Sequence, residues 1–516
     1  MGNKIYPIGI QNFESLRLDG YFYIDKTALI YQLVKSGRYY FLSRPRRFGK
    51  SLLISTLEAY FQGKKELFQG LAMEKLEKDW TKYPILHIDL NTQKYDSPQS
   101  LESKLNRTLV TWEKLYGNEP AEDSLSMRFE GTIQRAYEQT GQRVVILVDE
   151  YDKPMLQAIG NKELQNSFRE KLKAFYGALK SKDGCIKFAM LTGVTKFGKV
   201  SVFSDLNNLD DISMWNEYIE LCGISEKEIH KNLETELHEF ADVQKMTYDS
   251  FCEKLRQYYD GYHFTHNSIG MYNPFSLLNA FKRKEFGSYW FETGTPTYLV
   301  ELLKRHHYNL ERMAHEETNA QVLNSIDSES TSPIPVIYQS GYLTIKGYDE
   351  EFGIYHLGFP NKEVEEGFIQ FLVPYYTSMN NVESPFEIQK FVREIRSGDY
   401  NSFFQRLQSF FADTTYEIIR EQELHYENVL FIIFKLVGFY VKVEYHTSRG
   451  RIDLVLQTDK FIYIMEFKLN GTAEEALQQI NDKHYALPFE TDGRRLFKIG
   501  VNFSAETRNI EKWIVE

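Results

Sequence analysis

The chain has 516 residues, of which 42% are hydrophobic and 26% charged, and its net charge is −11 at pH 7. This length exceeds what one hydrophobic core holds, so we expect several domains of an ordinary globular protein. The acidic balance excludes a protein that coats nucleic acid indiscriminately, and three cysteines without CxxC spacing exclude a disulfide framework.

Strand-like and helix-like segments alternate through the first 200 residues. Helices are predicted at Ser51 to Phe61 and Leu164 to Leu179. The alternation predicts a parallel sheet with helices on both faces. The predicted strands are Tyr39 to Leu42, Ile85 to Leu90, Val144 to Val148 and Ile186 to Leu191.

The segment FLSRPRRFGKSLL, residues 41–53, ends like a phosphate-binding loop, whose usual pattern is G-x-x-x-x-G-K-[ST]. Arg44 stands where the first glycine is expected. This weakens the pattern without abolishing it, because that glycine only eases a backbone turn. The helix that follows offers unpaired N–H groups and a positive dipole end to an anion, so the loop predicts an ATP site.

Within this loop, Lys50 is predicted to reach the β- and γ-phosphates, and the Ser51 hydroxyl to ligate Mg²⁺. As an exposed residue at a helix start, Lys50 should contribute little to packing. Arg46 or Arg47 could neutralise phosphate charge like an arginine finger supplied in cis, or could pair with acidic surface elsewhere. The predicted cofactor contacts from the loop are Arg46, Arg47, Phe48, Gly49, Lys50, Ser51 and Leu52.

The string VVILVDEYDKP supplies a partner motif about 100 residues later. Asp149 and Glu150 follow the apolar strand, at the end where ligands of open α/β sheets gather. We expect Asp149 to hold Mg²⁺ and Glu150 to polarise the attacking water. In MLTGVTKFGKV, Thr192 or Thr195 could sense the γ-phosphate, although Thr192 could equally be a turn residue.

These blocks, with YFYIDKTALI, LTGVTKFGKVSVFSDLNNLDDIS and YDGYHF…MYNPFSLLNAF, resemble the AAA-ATPase-like family of bacterial and archaeal proteins. In that family R-P-R-R-F-G-K-S is the usual form of the loop, so the resemblance accounts for Arg44. It covers roughly residues 5–300 and implies a P-loop ATPase domain. By it, Lys50, Ser51, Asp149 and Glu150 match the family's nucleotide positions.

Between the ATPase-like region and residue 420 the pattern is helical and rich in aromatic residues. The strings YDGYHF and YWFETGTP could stack on bases, but at helical spacing they favour a hydrophobic core. His263 and His266 lack partners at metal spacing and are interpreted as structural. By analogy with AAA-type proteins we expect a helical, possibly winged-helix-like lid. The expected domains are residues 1–225, 226–420 and 421–516.

The string GRIDLVLQTDKFIYIMEFKLN, residues 450–470, predicts a hairpin around Thr458-Asp459. With a two-residue loop, Asp453 pairs with Ile464, and Glu466 lies diagonal to Asp453 on the same face, with Lys468 one pleat further. Thr-Asp is a weak turn former, which leaves the register open by one residue. The opposite face would carry Ile452, Leu454, Leu456, Phe461, Tyr463, Met465 and Phe467.

Asp followed by Glu-x-Lys on adjacent strands is a metal-nuclease arrangement. Asp453 and Glu466 would hold Mg²⁺, which activates water and stabilises phosphate oxyanions, while Lys468 orients or deprotonates the water. Glu427, on a predicted upstream helix, is a candidate further carboxylate. The alternative is an amphipathic hairpin with ordinary surface charges. Downstream, a capping box at Thr472 to Glu475 predicts a helix that exposes Gln479 and Lys483 on one face, followed by His484 and Tyr485.

Residues from about 420 to 516 resemble the PD-(D/E)xK nuclease superfamily, on the strings GRIDLVL, YIMEFKL and ALQQINDKHYALPF. By this resemblance, Asp453, Glu466 and Lys468 match the catalytic positions. Gln479 and Tyr485 match a helix that often lines the site. Ile452 stands where the superfamily's proline is expected, at a position that varies in such enzymes.

The sequence therefore predicts an α/β multidomain protein: a P-loop parallel sheet, a helical middle and a C-terminal restriction-endonuclease-like domain. The expected function is ATP-regulated or ATP-driven cleavage of DNA, with ATP and Mg²⁺ as cofactors and Mn²⁺ as an alternative ion. The alternatives are a nucleotide-dependent switch that binds DNA or protein, and an ATPase with an inactive nuclease-like module. A protein partner and an oligomer stay open.

The location of the protein is predicted from what its sequence lacks. The first residues have no apolar region typical of a signal peptide. The clearest apolar runs, Val144 to Val148 and Val429 to Phe434, are far shorter than the roughly 20 residues of a spanning helix. We therefore expect a cytoplasmic protein without a membrane partner.

Overall fold

The structure is a computed structural model. It describes residues 4–196, 209–291, 297–324, 332–377, 384–412, 422–438, 440–448, 451–469, 471–489, 491–504, 506–507 and 509–516. Within these ranges, the side chains of residues 297, 412, 422–425, 444–448 and 451–453 lie outside the description.

The chain divides into two compact units, each discontinuous in sequence. The first comprises Met1–Gly294 and His315–Glu363, and the second Thr295–Ala314 and Val364–Glu516. The expected boundaries at residues 225 and 420 stay predictions. Within the described ranges, no helix combines the length and the apolar character needed to cross a membrane.

The first unit is built around a five-stranded parallel sheet in the order β2-β3-β4-β1-β5. All six residues of β3 are buried, as expected of a central parallel strand covered on both faces. The strands are β1 (Tyr39–Ser43), β2 (Ile85–Asp89), β3 (Val144–Asp149), β4 (Ile186–Gly193) and β5 (Asp210–Asp211).

Helices alternate with these strands, which confirms the predicted α/β architecture. Predicted helix Ser51 to Phe61 begins one residue earlier, and predicted helix Leu164 to Leu179 is interrupted at Gly177. The helices are α1 (Phe13–Leu18), α2 (Thr27–Ser36), α3 (Lys50–Phe61), α4 (Ala72–Leu76), α5 (Pro98–Tyr116), α6 (Leu125–Thr140), α7 (Lys153–Gln157), α8 (Lys162–Tyr176) and α9 (Ala178–Ser181).

The rest of the first unit is mainly helical, and it also contains a three-stranded antiparallel sheet that the sequence did not predict. The aromatic strings form core, as expected: Tyr259, Tyr262, Tyr289 and Trp290 are all buried. The elements are β6 (Ile224–Ser225), α10 (Glu226–Val243), α11 (Tyr248–Tyr259), β7 (Met271–Tyr272), α12 (Pro274–Arg283), β8 (Glu316–Asn319), α14 (Ala320–Asn324), α15 (Ile334–Gln339), β9 (Thr344–Asp349) and β10 (Ile354–Gly358).

The second unit contains a five-stranded mixed sheet in the order β11-β12-β13-β14-β15, in which only β13 and β14 are parallel. Its strands are β11 (Lys442–Ser448), β12 (Arg451–Gln457), β13 (Phe461–Leu469), β14 (Arg495–Ser504) and β15 (Asn509–Val515). Its helices are α13 (Thr297–Arg305), α17 (Ser384–Ser397), α18 (Tyr400–Ala412), α19 (Gln422–Gly438) and α20 (Ala473–Asp482), and α16 (Lys362–Tyr376) contains the division at Glu363.

The predicted hairpin is present, but its predicted register is wrong by two residues. Asp453 pairs directly with Glu466, not with Ile464. The reason is the position of the turn: the Thr458 backbone N–H donates to the Phe461 carbonyl at 2.8 Å, and the Thr458 hydroxyl accepts hydrogen bonds from the backbone N–H groups of Lys460 and Phe461, at 3.3 and 2.9 Å. The two-residue loop is therefore Asp459-Lys460, not Thr458-Asp459. A shift of two keeps every side chain on its predicted face.

Candidate nucleotide site and candidate nuclease site

The phosphate-binding loop joins β1 to α3. Gly49, the residue before the helix, has φ +92°, and Arg47 is also left-handed at φ +67°. Left-handed residues alternating with ordinary ones turn successive backbone N–H groups toward one concave side, which is how a loop cradles an anion. The loop thus has the backbone form that a phosphate site requires.

Lys50 is buried, so the expectation of an exposed helix-start lysine is wrong. Its side chain is 5% exposed, and its Nζ donates hydrogen bonds to the carbonyl oxygens of Arg44 at 2.9 Å and Pro45 at 3.1 Å. The Lys50 ammonium group therefore connects two peptide carbonyls of its own loop. Burial of a charge is tolerated here because the carbonyls solvate it.

Arg44 fastens the loop to a segment about 170 residues later in the chain. Its guanidinium is 1% exposed and donates to the carbonyl oxygens of Ser43, Ser213 and Tyr218, at 3.0, 2.7 and 3.4 Å. It also stacks over the Phe264 ring, 4.0 Å from the centroid. Burial lowers the pKa of Arg44 to about 10, and the group remains a cation at neutral pH. The residue in the glycine position is therefore a structural brace.

Arg46 and Arg47 lie over aromatic rings of the first unit. The Arg46 guanidinium is 5.8 Å from the Trp290 ring centroid, and that of Arg47 is 4.9 Å from the Phe275 centroid. Burial and the neighbouring Arg46 lower the pKa of Arg47, while the charge of Glu150 acts in the opposite direction.

An apolar pocket of about 100 Å³ opens directly beside the loop. Phe48, whose ring packs against Tyr262 and Phe264 at 4.8 and 5.5 Å, forms part of its wall together with Gly49 and Leu52. Its other walls include Pro7, Phe22, Ile24, Ile30, Leu53, Cys222, Gly223, Ile224 and Leu278.

Asp149 is held at the end of β3 by two hydrogen bonds to one carboxylate oxygen. Oδ1 accepts from the Thr192 hydroxyl at 2.7 Å and from the Glu150 backbone N–H at 3.0 Å. Oδ2 accepts no hydrogen bond from the described part of the chain, and the same is true of the Ser51 hydroxyl. A carboxylate oxygen and a hydroxyl in this state fit Mg²⁺, which prefers oxygen ligands and completes its shell with phosphates and water.

Glu150 adopts a left-handed backbone with φ +52°, which is uncommon for a glutamate and typical of functional turns. Burial raises the pKa of its carboxyl group, while the Lys50 charge acts in the opposite direction. Lys50 therefore lies close enough to Glu150 to affect it. A raised pKa suits a group that accepts or polarises a proton.

Asp152 is a site residue that sequence reasoning missed. Its carboxylate is 1% exposed and accepts hydrogen bonds from Val194 N, Thr195 N and the Thr195 hydroxyl, at 3.2, 2.6 and 2.7 Å. It thereby joins the turn after β3 to the turn after β4. Thr195 points to Asp152, whereas Thr192 points to Asp149. An aspartate just before Lys153-Pro154 resembles a simple helix cap, which hid its role.

The predicted nuclease residues lie on neighbouring strands of the second sheet. Glu466 is completely buried, and the Lys468 Nζ lies 3.4 Å from its Oε1. The same Nζ donates to Gln479 Oε1 at 2.5 Å. Gln479 belongs to α20, which the predicted capping box starts at Thr472. The helix expected to line the site therefore contacts it through Gln479.

Asp453 and Glu427, the other predicted carboxylate ligands, are described to different extents by the structure. The backbone of Asp453 is paired with that of Glu466, which puts both residues on one face, but the Asp453 side chain lies outside the described part of the structure. Glu427 is on α19, and its Oε2 accepts from Asn309 at 3.4 Å. Phe434 of α19 packs against Phe467, on the face opposite Glu466. The metal role of Glu427 stays a prediction.

Gly500 of β14 stands opposite Glu466 in the parallel pairing. A Cβ atom at this position would lie 2.1 Å from the Ala473 carbonyl oxygen and 2.5 Å from the Leu477 nitrogen, both backbone atoms of α20. Glycine therefore allows α20 to approach the sheet closely, beside the two strands that carry the site. Tyr485, expected to line the site, packs against the apolar cluster of Ile462, Ile464, Ile480 and Ala486.

Within the described residues, no group of three or more His, Cys, Asp or Glu side chains is placed to hold a metal. Asp453 is not among these residues, because its side chain lies outside the described part of the structure. Glu466 with Asp453 would supply two carboxylates, the donor type that Mg²⁺ takes. When bound, the ion would supply Lewis-acid activation of water.

Comparison with known proteins matches the two regions separately and the chain as a whole. A family model described as predicted AAA-ATPase matches residues 7–203, and one described as the PD-(D/E)XK nuclease superfamily matches residues 421–513. A protein of Azotobacter chroococcum mcd 1, named "Uncharacterized protein in vnfD 5'region", is 35% identical over 532 residues, covering 100% of this chain and 99% of its own length. Its name states no activity.

Among solved structures, the Aeropyrum pernix ORC2 protein, in its ADPNP–ADP complexes, is similar at 11% identity with a TM-score of 0.25. The similarity covers 70% of this chain and 92% of that one.

Proposed function

The chain belongs to the predicted AAA-ATPase family and carries a PD-(D/E)XK nuclease superfamily domain at its C-terminus, and from this membership we propose that it hydrolyses ATP to control metal-dependent cleavage of DNA. Lys50 contacts the β- and γ-phosphates in this proposal. Ser51 and Asp149 hold Mg²⁺, and Glu150 polarises the attacking water. Asp453 and Glu466 hold a second metal, with Lys468 beside it.

The observation that carries the ATPase half is the hydrogen bond between Thr192 and Asp149 next to a left-handed, concave phosphate loop. It occupies one carboxylate oxygen, and Oδ2 accepts no hydrogen bond from the described part of the chain. Glu150 follows immediately, under the influence of the Lys50 charge. These groups supply the cation, the metal ligand and the base that phosphoryl transfer to water uses.

The apolar pocket beside the loop supports a nucleotide rather than a simple phosphate. Gly49 and Leu52 belong both to the phosphate loop segment and to the pocket wall. In this proposal the phosphates lie on the loop and the aromatic base lies in the pocket. The wall is mainly hydrophobic, as pockets for flat organic rings are.

The observation that carries the nuclease half is the direct pairing of Asp453 with Glu466, with Lys468 on the same face. The Lys468 Nζ donates a hydrogen bond to Gln479 Oε1 of α20 at 2.5 Å. One specific observation favours the alternative of a nucleotide-dependent switch with an inactive nuclease-like module: Glu466 is 0% exposed. Binding of a metal to the buried Glu466 carboxylate requires local movement of the protein. An inactive module requires no such movement.

The test is the release of acid-soluble nucleotide from duplex DNA, single-stranded DNA and RNA, with Mg²⁺ or Mn²⁺, each with and without ATP. Metal-dependent release that ATP changes is the expected result, with DNA as substrate. ATP hydrolysis without release from any of these substrates, with either ion, supports the switch. Absence of ATP hydrolysis and binding overturns the ATPase half.

A further inference from the structure

Two residues far from the phosphate-loop motif hold one of its peptide groups. The carbonyl oxygen of Arg46 accepts a hydrogen bond from the Trp290 indole Nε1 at 3.1 Å and a longer one from Asn273 Nδ2 at 3.4 Å. Both donors are buried, Trp290 at 1% exposure and Asn273 at 0%. Their sequence separation from Arg46 exceeds 220 residues, and all three belong to the first unit.

The held peptide determines where the loop directs its next N–H group. In a trans peptide the C=O of Arg46 and the N–H of Arg47 point in opposite directions. When Trp290 and Asn273 draw the carbonyl toward themselves, the Arg47 N–H is directed away from them. The bond that follows this peptide is the N–Cα bond of Arg47. Its φ is +67°, a value that non-glycine residues rarely adopt. An unusual conformation persists only where its surroundings fix it.

The same two elements also hold the arginine side chains of the loop. Trp290 lies under the Arg46 guanidinium, and Phe275, two residues after Asn273, lies under that of Arg47. The Asn273 side chain is itself held in place, because its Oδ1 caps α12 by accepting hydrogen bonds from Phe275 N and Ser276 N, at 3.0 and 3.1 Å. The segments around Trp290 and Asn273 therefore contact both the backbone and the arginine side chains of the loop.

We propose that Trp290 and Asn273 are positioning residues for the nucleotide: by holding the Arg46 carbonyl they aim the loop N–H groups at the phosphates. The proposal rests on the proposed ATPase function and goes beyond the loop motif and the acidic residues of β3. Neither residue touches the phosphates. Their contribution is to binding, because the loop must have this shape before the phosphates arrive.

The test uses variants that remove a donor and keep part of the buried side chain. Trp290→Phe removes the indole N–H but keeps a ring under Arg46, and the bond from Trp290 backbone N to Glu363 is unaffected. Asn273→Ser removes the Nδ2 donor and keeps a good helix cap. The matched control is Trp112→Phe, which makes the same ring reduction at another buried tryptophan of the first unit, on α5 at 5% exposure.

Nucleotide affinity is measured in the full chain by equilibrium binding of a fluorescent ATP analogue, together with KM and kcat for ATP. We expect about a fivefold to tenfold loss of affinity and a matching rise in KM for Trp290→Phe, consistent with the loss of one hydrogen bond. Asn273→Ser should show a smaller loss, and the double variant a larger one. In all of them kcat should stay within about twofold of wild type, because the reacting groups are untouched.

Four outcomes overturn the proposal. One is wild-type affinity in both Trp290→Phe and Asn273→Ser, which leaves the ATPase function standing. Another is an equal loss in Trp112→Phe, which assigns the effect to general stability. The third is a wild-type protein that binds no ATP, which overturns this proposal together with the proposed ATPase. A fall in kcat with unchanged KM also contradicts a role in binding.

Discussion

The Thr192 hydroxyl donates a hydrogen bond to Asp149 Oδ1 at 2.7 Å across the ends of two neighbouring parallel strands. Thr192→Val keeps the shape of the side chain and removes the donor. We expect ATP hydrolysis to fall about 10- to 100-fold, since a hydrogen bond to a charged group contributes about 1.5–3 kcal/mol. The loss should be partly restored by higher Mg²⁺. The measurement is ATP turnover against Mg²⁺ concentration.

The matched control for that substitution is Thr132→Val. Thr132 is also completely buried, and its hydroxyl donates to the Arg128 carbonyl at 2.7 Å within α6. It should lose no ATPase activity. Equal turnover in Thr192→Val and wild type at every Mg²⁺ concentration would show that the Thr192–Asp149 bond has no part in the reaction.

Lys50→Ala should abolish ATP binding and also weaken the fold, because the ammonium group holds the carbonyls of Arg44 and Pro45. Two such hydrogen bonds contribute about 1–3 kcal/mol to the free energy of unfolding. A denaturant titration measures this second effect, and a binding assay the first. Unchanged ATP turnover in the variant would contradict the phosphate-loop assignment.

Glu150→Gln should keep ATP binding and lower turnover about 10²- to 10⁴-fold, because the amide preserves the shape but does not polarise water. The pH dependence follows from the same residue. Burial raises the pKa of Glu150 above its ordinary value of 4.5. Its carboxylate form is therefore present above this raised pKa and lost as the pH falls through it.

Wild-type turnover should accordingly decrease on acidification, at a pH higher than an ordinary glutamate would give. The residual activity of Glu150→Gln should lack this acidic limb. Turnover profiles of the two proteins, with folding monitored at each pH, make the comparison. Loss of ATP binding in Glu150→Gln, or an identical acidic limb in both proteins, would assign the base to another residue.

Asp453→Ala should abolish phosphodiester cleavage and leave ATP hydrolysis intact, because the phosphate loop and Asp453 belong to different compact units. Both variants, Asp453→Ala and Lys50→Ala, are assayed for both activities. Lys50→Ala should keep a competent metal site and change the cleavage of long duplex DNA if ATP gates it. Asp459→Ala, at an exposed turn position of the same hairpin, is the control and should cleave normally. Cleavage that survives in Asp453→Ala would exclude the predicted metal site.

Local patterns predicted the parts of the molecule that local physics determines. The apolar run before Asp149 predicted a buried central strand, and the period of two put Asp453 and Glu466 on one face although the register shifted by two. The capping box at Thr472 was confirmed for the same reason. In each case the deciding pattern is contained in one short continuous stretch of the chain.

Contacts between distant segments could not be predicted in this way. The brace formed by Arg44 depends on Ser213 and Tyr218, and no spacing in the sequence connects them. Lys50 appeared exposed because a helix start usually is, whereas the loop folds over it. Asp152 was hidden by its position before a short helix. Folding joins these residues, and their pairing has no local period.

The close approach of α20 at Gly500 makes the position of that helix depend on the absence of a side chain. A single methyl group there would collide with the backbone of α20 and push the helix outward, and with it Gln479, the partner of Lys468. No acidic or basic residue would be lost. The contact between Lys468 and Gln479 therefore depends on a residue that carries no functional group of its own, and position 500 determines the geometry around Lys468 as directly as a charged neighbour does.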